Sequence, residues 1–162
     1  EIMPSLVGSE MCIRDRPYSE QPAICNGTFH ALYSRNSLEI WKYLNSTLFL
    51  LTVELFCRRL GGGATDTRTE DYKNMPVPDL NNLDIDFPSE ILASSPPLKY
   101  SDEIKREERF MLDRAVLKAL GFEENELDQL VEELHRAFVE VVEDRLIKAD
   151  RLTIEEKELK KR

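Results

Sequence analysis

The sequence contains few of the residues from which metal sites and disulfide frameworks are built. Its 162 residues include 3 cysteines and 2 histidines. The cysteines show no Cys-x-x-Cys spacing, and neither His30 nor His135 has a metal-ligand residue four positions after it. This pattern argues against a disulfide framework and a zinc site, and it favours a reducing, cytoplasmic location. We expect both histidines to be structural and the chain to bind no metal.

The chain also lacks a long apolar run. The longest one, Leu48–Val53, is interrupted by Thr52 and is much shorter than the ~20 residues that a membrane-spanning helix needs. No pattern typical of a signal peptide is present. We therefore expect no association with a membrane.

An excess of positive charge is missing as well. The formal net charge is −9 at pH 7, with a balance of −1 over residues 17–80 and −7 over residues 81–162. Affinity for nucleic acids depends mainly on basic residues that neutralise phosphates. Any DNA contact must therefore come from a local basic patch within 17–80, whereas the acidic half indicates a solvated helix surface or a face for a partner.

A strongly apolar helix is predicted between Asn36 and the glycines at 61–63. Apolar residues recur at intervals of three and four, so we expect a helix that is buried on nearly all sides. Asn45 and Ser46 compete for backbone hydrogen bonds, which favours a break into two helices there. The stripe consists of Leu38, Trp41, Leu44, Leu48, Leu51 and Leu55, and it is widened by Ile40, Phe49, Val53 and Phe56.

Short strands are predicted on both sides of this helix. β-branched and aromatic residues favour a strand at Thr28–Tyr33, and Ala64–Thr67 is a candidate for another. Thr67 and Glu70 are spaced like a capping box for a short helix that ends near Asn74.

The second half is predicted to be a linker followed by a helical hairpin. Residues 81–101 are rich in proline and have little periodicity, which is typical of a linker. Amphipathic stripes predict one helix over 102–120, stopped by Gly121, and a second helix after it, which together form an antiparallel hairpin over 102–150. A charged, frayed tail is expected at 151–162. The predicted fold class is therefore α+β and helix-dominated: a small recognition domain with short strands and a buried helix, followed by the hairpin.

Basic residues cluster around the triple glycine. Glycines allow a backbone to approach a phosphate closely, and guanidinium groups bind phosphate oxygens with two donors. The same residues are also expected at an ordinary helix end, because cations near a helix C-terminus are favourable. From the residue pattern alone both interpretations stay open. The candidate DNA-binding residues are Arg58, Arg59, Gly61, Gly62, Gly63, Arg68 and Lys73.

Two blocks of the sequence resemble a known family. At Leu44–Pro78 the paired arginines, the triple glycine and the Pro-x-Pro exit are similar, in this order, to the C-terminal target-recognition region of adenine-specific DNA methyltransferases of restriction–modification systems. Residues 106–149 resemble the helical C-terminal tail of the same family. The resemblance implies that residues 17–80 are a partial target-recognition domain that binds double-stranded DNA. It also implies a parent enzyme that transfers a methyl group from S-adenosylmethionine to a flipped adenine.

We find neither the family's catalytic motifs nor a glycine-rich cofactor turn in these residues. We therefore expect a fragment without catalytic, metal-binding or cofactor-binding residues. S-adenosylmethionine then belongs to the parent, and the missing N-terminal catalytic domain is an expected partner. Two alternatives are a specificity module of a multisubunit restriction system without catalysis, and a helical protein-interaction module.

The N-terminus is unlike the rest of the chain. Residues 4–16 resemble a translated sequencing-adapter read-through, and they show neither a helical nor a strand period. We interpret residues 1–16 as an artefactual or disordered N-terminus and leave them out of the fold prediction.

Overall fold

The computed structural model describes residues 34–59, 65–66, 68–94, 96 and 98–159, with the backbone alone at 58–59, 65–66, 69, 81 and 150–159. The predicted strand at Thr28–Tyr33 and the interpreted N-terminus at 1–16 lie outside these residues. The described helices are α1 (Ser37–Leu44), α2 (Thr47–Phe56), α3 (Thr69–Asn74), α4 (Ser89–Ser94), α5 (Tyr100–Glu103), α6 (Glu107–Ala119) and α7 (Leu127–Leu159), and a 3₁₀ turn covers Leu80–Asn82.

The predicted break in the apolar helix is present, and Ser46 is its cause. The Ser46 hydroxyl donates to the carbonyl oxygen of Tyr43 at 2.6 Å, which closes α1. The same oxygen accepts the backbone N–H of Phe49 at 3.3 Å, which caps the first turn of α2. One buried hydroxyl thus serves two helix ends, the last turn of α1 and the first turn of α2.

The described chain is helix-dominated, as predicted, but the α+β class is not supported. The described residues contain one antiparallel ladder, between β1 (Arg58–Arg59) and β2 (Thr65–Asp66). Two residues on each strand are too few to form a layer with a buried face. Helices packed on one another therefore supply the core of the described part.

Residues 81–101, predicted to be a linker, pack against the core instead. Leu83, Ile85 and Phe87 are buried in the same cluster as Tyr43, while the aspartates between them are exposed. Side chains of α1 bind the backbone of this segment: Lys42 Nζ donates to the Ile85 carbonyl at 2.8 Å, and a Glu39 oxygen accepts the Ile85 N–H at 2.7 Å. Apolar and acidic residues alternate here with the period of a strand. The apolar side chains are buried, which is not expected of a solvent-exposed spacer.

α6 and α7 form the predicted antiparallel hairpin, through contacts of Leu117 with Leu127 and Val131. Gly121 stops α6 with a φ of 92°, and the N–H of Phe122 bonds the carbonyl of Leu117 at 3.3 Å, a hydrogen bond typical of a glycine-terminated helix.

Both ends of the hairpin differ from the prediction. Its first helix begins at Glu107 rather than at 102, because residues 100–103 form the separate helix α5. Its second helix continues through Leu159, so the backbone of 151–159 is helical where a frayed tail was predicted.

α2 lies along α7 and runs in the same direction. Leu50 of α2 packs with Phe138 and Val142 of α7. The ring of Tyr100, from α5, meets the Phe138 ring edge-on with centroids 6.4 Å apart. α2 therefore connects the cluster around Tyr43 to the helical hairpin, and the two parts predicted as separate units share this helix.

Candidate nucleic-acid interface

The basic segment begins directly after the end of α2. Cys57 ends α2 in an extended conformation, and its N–H still bonds the carbonyl of Val53 at 2.9 Å. The side chain of Cys57 is buried, so the C-terminal end of α2 is anchored in the core. Arg58 and Arg59 follow directly as β1.

Two short strands pair at the two ends of the glycine segment. Arg58 lies opposite Asp66, and Arg59 lies opposite Thr65. The connection between the two strands is residues 60–64, which contain Gly61, Gly62 and Gly63 and lie outside the described residues. The pairing brings both ends of the glycine segment together at the tip of α2. We call the paired strands β1 and β2 the basic hairpin.

The two other predicted basic residues follow β2. Arg68 is exposed and precedes α3, and its N–H donates to Asp71 Oδ2 at 2.8 Å. Arg68 is the N-cap residue of α3, whereas Thr67 of the predicted capping box lies outside the described residues. Lys73 lies on α3, and its ammonium is 2.8 Å from Glu70 Oε1, with 64% and 72% of the two side chains exposed. An exposed pair of this kind contributes about 0–1 kcal/mol, so a phosphate can compete with Glu70 for Lys73.

The electrostatic surplus of this region is small. Three of the four basic positions have an acidic residue close by in the chain or across the ladder: Asp66 lies opposite Arg58, Asp71 contacts the backbone of Arg68, and Glu70 pairs with Lys73. A site with so little net charge binds a polyanion through local geometry more than through long-range attraction.

Exposed apolar side chains flank the basic hairpin. Leu55 and Phe56 are 57% and 54% exposed, although the sequence pattern predicts them on the buried stripe of α2. Val53 and Cys57, which lie before and after these two residues in the chain, are buried. The last turn of α2 therefore has one packed face and one open face immediately before the arginines.

A buried polar cluster, which sequence reasoning missed, holds the start of α2. Asp113 of α6 is fully buried, and its Oδ1 accepts the N–H of Thr47 at 2.7 Å. Its Oδ2 accepts the Thr47 hydroxyl at 2.6 Å and lies 2.7 Å from His135 Nε2. A carboxylate at the first N–H groups of a helix is favourable because those groups have no partner within the helix. His135 is thus a structural contact between α7 and α6.

Arg109 performs the corresponding role at the end of α1. This buried guanidinium donates through Nη1 to the carbonyl oxygen of Asn45, and through Nη2 to Glu103 Oε1 at 3.0 Å. Arg109 and Asp113 lie one turn apart on the face of α6 that also buries Leu112 and Val116. Two charged residues on an apolar helical stripe are the signal that predicts such buried contacts, since a buried charge needs a partner.

A third buried contact holds the end of α2. Glu54, on the last turn of α2, is 1% exposed, and its Oε2 accepts the Nε–H of Arg145 at 2.9 Å. The partners are 91 positions apart in the sequence. Glu54 interrupts an apolar run, which is the same signal as in α6, but the sequence alone does not identify its partner.

The described residues contain no group of three or more His, Cys, Asp or Glu side chains placed to hold a metal ion. Within the part of the chain that the structure describes, no helix is long and apolar enough to cross a membrane. Comparisons with protein-family models, with curated proteins and with solved structures gave no match to this chain.

Proposed function

We propose that this chain is the DNA-binding target-recognition part of an adenine-specific, S-adenosylmethionine-dependent DNA methyltransferase of a restriction–modification system. Its ligand is double-stranded DNA, and the methyl transfer belongs to a catalytic domain of the parent protein. The observation that carries the proposal is the pairing of Arg58–Arg59 with Thr65–Asp66. It brings the two ends of the glycine segment together directly after α2.

The chemistry of the hairpin fits phosphates. Two consecutive arginines on a short strand lie at the base of a glycine segment, where a backbone can come close to DNA. Arg68 follows the returning strand and is exposed. These residues provide contacts that position a protein on a duplex, whereas contacts to base edges would provide the specificity.

The salt dependence of duplex binding tests this proposal. Each phosphate contact contributes about 0.9 to the slope of log affinity against log salt, so contacts from Arg58, Arg59, Arg68 and Lys73 predict a slope of about −3.6. If Lys73 stays paired with Glu70 and contacts no phosphate, the slope is about −2.7. Replacing both Arg58 and Arg59 by alanine should reduce the slope by about 2 and weaken all sequences alike.

A matched control comes from basic residues outside the proposed site. Arg114 pairs with Asp128 and Lys118 pairs with Glu124 within the helical hairpin. Replacing Arg114 and Lys118 by alanine removes the same charge as the hairpin variant and should leave the slope unchanged. Equal effects of the two double variants would show that net charge alone, and not the hairpin, determines binding.

The exposed Leu55 and Phe56 favour protein interaction as a second candidate function. Apolar side chains next to each other on a surface are typical of protein interfaces. A partner that covers them should bind with little dependence on salt, and the Arg58 and Arg59 double variant should bind it normally. Such a result, together with no measurable DNA affinity, would replace the DNA-binding proposal by the interaction module.

A further inference from the structure

The middle of α7 packs against α2, whereas its beginning packs against its hairpin partner α6. α6 meets α7 near its start, where Asp113 contacts His135 and Leu117 contacts Val131. Further along, Phe138 and Val142 pack on Leu50 of α2. Because α2 and α7 run in the same direction, residues 138–145 of α7 follow α2 towards its C-terminal end.

The last of these contacts is the buried pair Glu54–Arg145. Glu54 precedes Arg58 by four positions, so it lies one helical turn before the basic hairpin. Its Oε2 accepts the Arg145 Nε–H at 2.9 Å, and both side chains are at most 4% exposed. Its Oε1 is also buried and accepts no hydrogen bond from any described residue. Among the described residues, the Glu54 carboxylate therefore accepts one side-chain hydrogen bond, from the Arg145 Nε–H.

Net stability does not explain such a pair. The cost of removing two charges from water largely cancels their attraction, and an apolar pair of similar volume is often as stable or more stable. A hydrogen bond to Nε, however, fixes the direction of both side chains, which an apolar contact does not do. At the last turn of α2, where Leu55 and Phe56 are exposed, a directional contact limits how the turn rotates about the helix axis.

We propose that Arg145, acting through Glu54, is a positioning residue that sets the direction in which the basic hairpin leaves α2. The role in DNA binding rests on the proposed function above; the role in ordering the hairpin does not. Through this contact the helical hairpin and the basic hairpin act together, because α7 orients the arginines that meet the phosphates.

The experiment replaces the pair in the full chain by Glu54→Leu with Arg145→Met, and separately by Arg145→Lys. Three quantities are measured for each variant: the melting temperature, the amide hydrogen exchange of the β1–β2 ladder, and duplex affinity at several salt concentrations. The matched control is Asp144→Asn with Lys148→Gln, which removes an exposed pair of 2.6 Å on the same helix.

We expect the apolar pair to keep the melting temperature and to increase ladder exchange and weaken duplex binding. Residues that act through another residue change such quantities by about 2-fold to 30-fold. Arg145→Lys keeps the charge but loses the planar Nε–H geometry, so it should show the same changes while it remains folded. The control pair should change none of the three quantities.

If the amides of the β1–β2 ladder exchange at the wild-type rate in both pair variants, the positioning role is overturned. It is also overturned if the free energy that protects these amides falls by no more than the global free energy of unfolding. If the apolar double variant fails to fold, the Arg145→Lys measurement alone decides. If wild-type protein shows no salt-dependent duplex affinity, the proposed function fails, whereas the hydrogen-exchange comparison still decides whether Arg145 orders the hairpin.

Discussion

Replacing Phe138 by alanine should be among the most damaging single changes in the helical hairpin. Phe138 is 0% exposed and lies where three helices meet: it packs on Leu50 of α2, next to Val142 of α7, and its ring contacts the Tyr100 ring of α5. A truncation here removes buried apolar surface and leaves a cavity between helices that cannot close by moving one side chain.

The expected cost is about 3–5 kcal/mol of unfolding free energy, the range for a fully buried aromatic residue replaced by alanine. For a chain of this size each 1 kcal/mol lowers the melting temperature by about 2–4 °C, so the variant should melt roughly 6–20 °C below the wild type. Urea unfolding followed by circular dichroism measures the free energy, and a thermal scan measures the temperature.

Two comparisons make this result specific. Phe138→Leu keeps most of the volume and should cost less than about 1.5 kcal/mol. Leu134 lies one turn earlier on the same stripe but is only partly buried, so Leu134→Ala should cost clearly less than Phe138→Ala. A cost below about 1 kcal/mol for Phe138→Ala would refute the packing described here, because truncating a fully buried aromatic residue costs about 3–5 kcal/mol.

Three further outcomes are expected. Asp113→Ala leaves the Thr47 N–H and hydroxyl buried without an acceptor and should cost about 2–6 kcal/mol, from about 1–3 kcal/mol for each of the two groups. Asp128→Ala at an exposed pair should cost less than about 1 kcal/mol, and equal costs in urea unfolding would contradict the buried role of Asp113. Burial raises the pKa of Tyr43 to about 12 from its usual 10.0, so its contribution to stability is complete below about pH 10 and declines as the pH rises towards 12, by at most about 1.4 kcal/mol per pH unit. Tyr43→Phe should lose this decline in urea unfolding between about pH 9 and pH 11, and a variant that keeps it would assign the decline to other groups. Phe56→Ala should change the melting temperature by less than about 2 °C because the ring is 54% exposed, and a larger loss would mean that the last turn of α2 is covered.

Much of the helical architecture follows from local patterns in the sequence. The apolar stripe from Leu38 onward predicts α1 and α2, and the side-chain chemistry of Asn45 and Ser46 predicts the break between them. Gly121 predicts the end of α6, and the stripes on both sides of it predict the antiparallel hairpin. These features depend on neighbours within one or two turns, so the sequence contains the information that determines them.

Prediction was less successful where one local pattern had two interpretations. Residues 81–101 contain prolines that are typical of a linker, and the alternation of Leu83, Ile85 and Phe87 indicates the opposite. Leu55 and Phe56 belong to the apolar stripe of α2 by spacing, yet they are exposed. Whether an apolar face is covered depends on which other segment reaches it, and helical periodicity does not contain that information.

The sequence by itself determined that the chain is built mainly of helices, where the apolar helix breaks, and that basic residues surround a triple glycine. The tertiary structure decided which buried charges meet: Asp113 with Thr47 and His135, Arg109 with Glu103, and Glu54 with Arg145. A charged residue on an apolar stripe predicts a buried partner, because burying a charge without one is costly. Its partner lies up to 91 positions away, and only the packing of α2, α6 and α7 brings the two together.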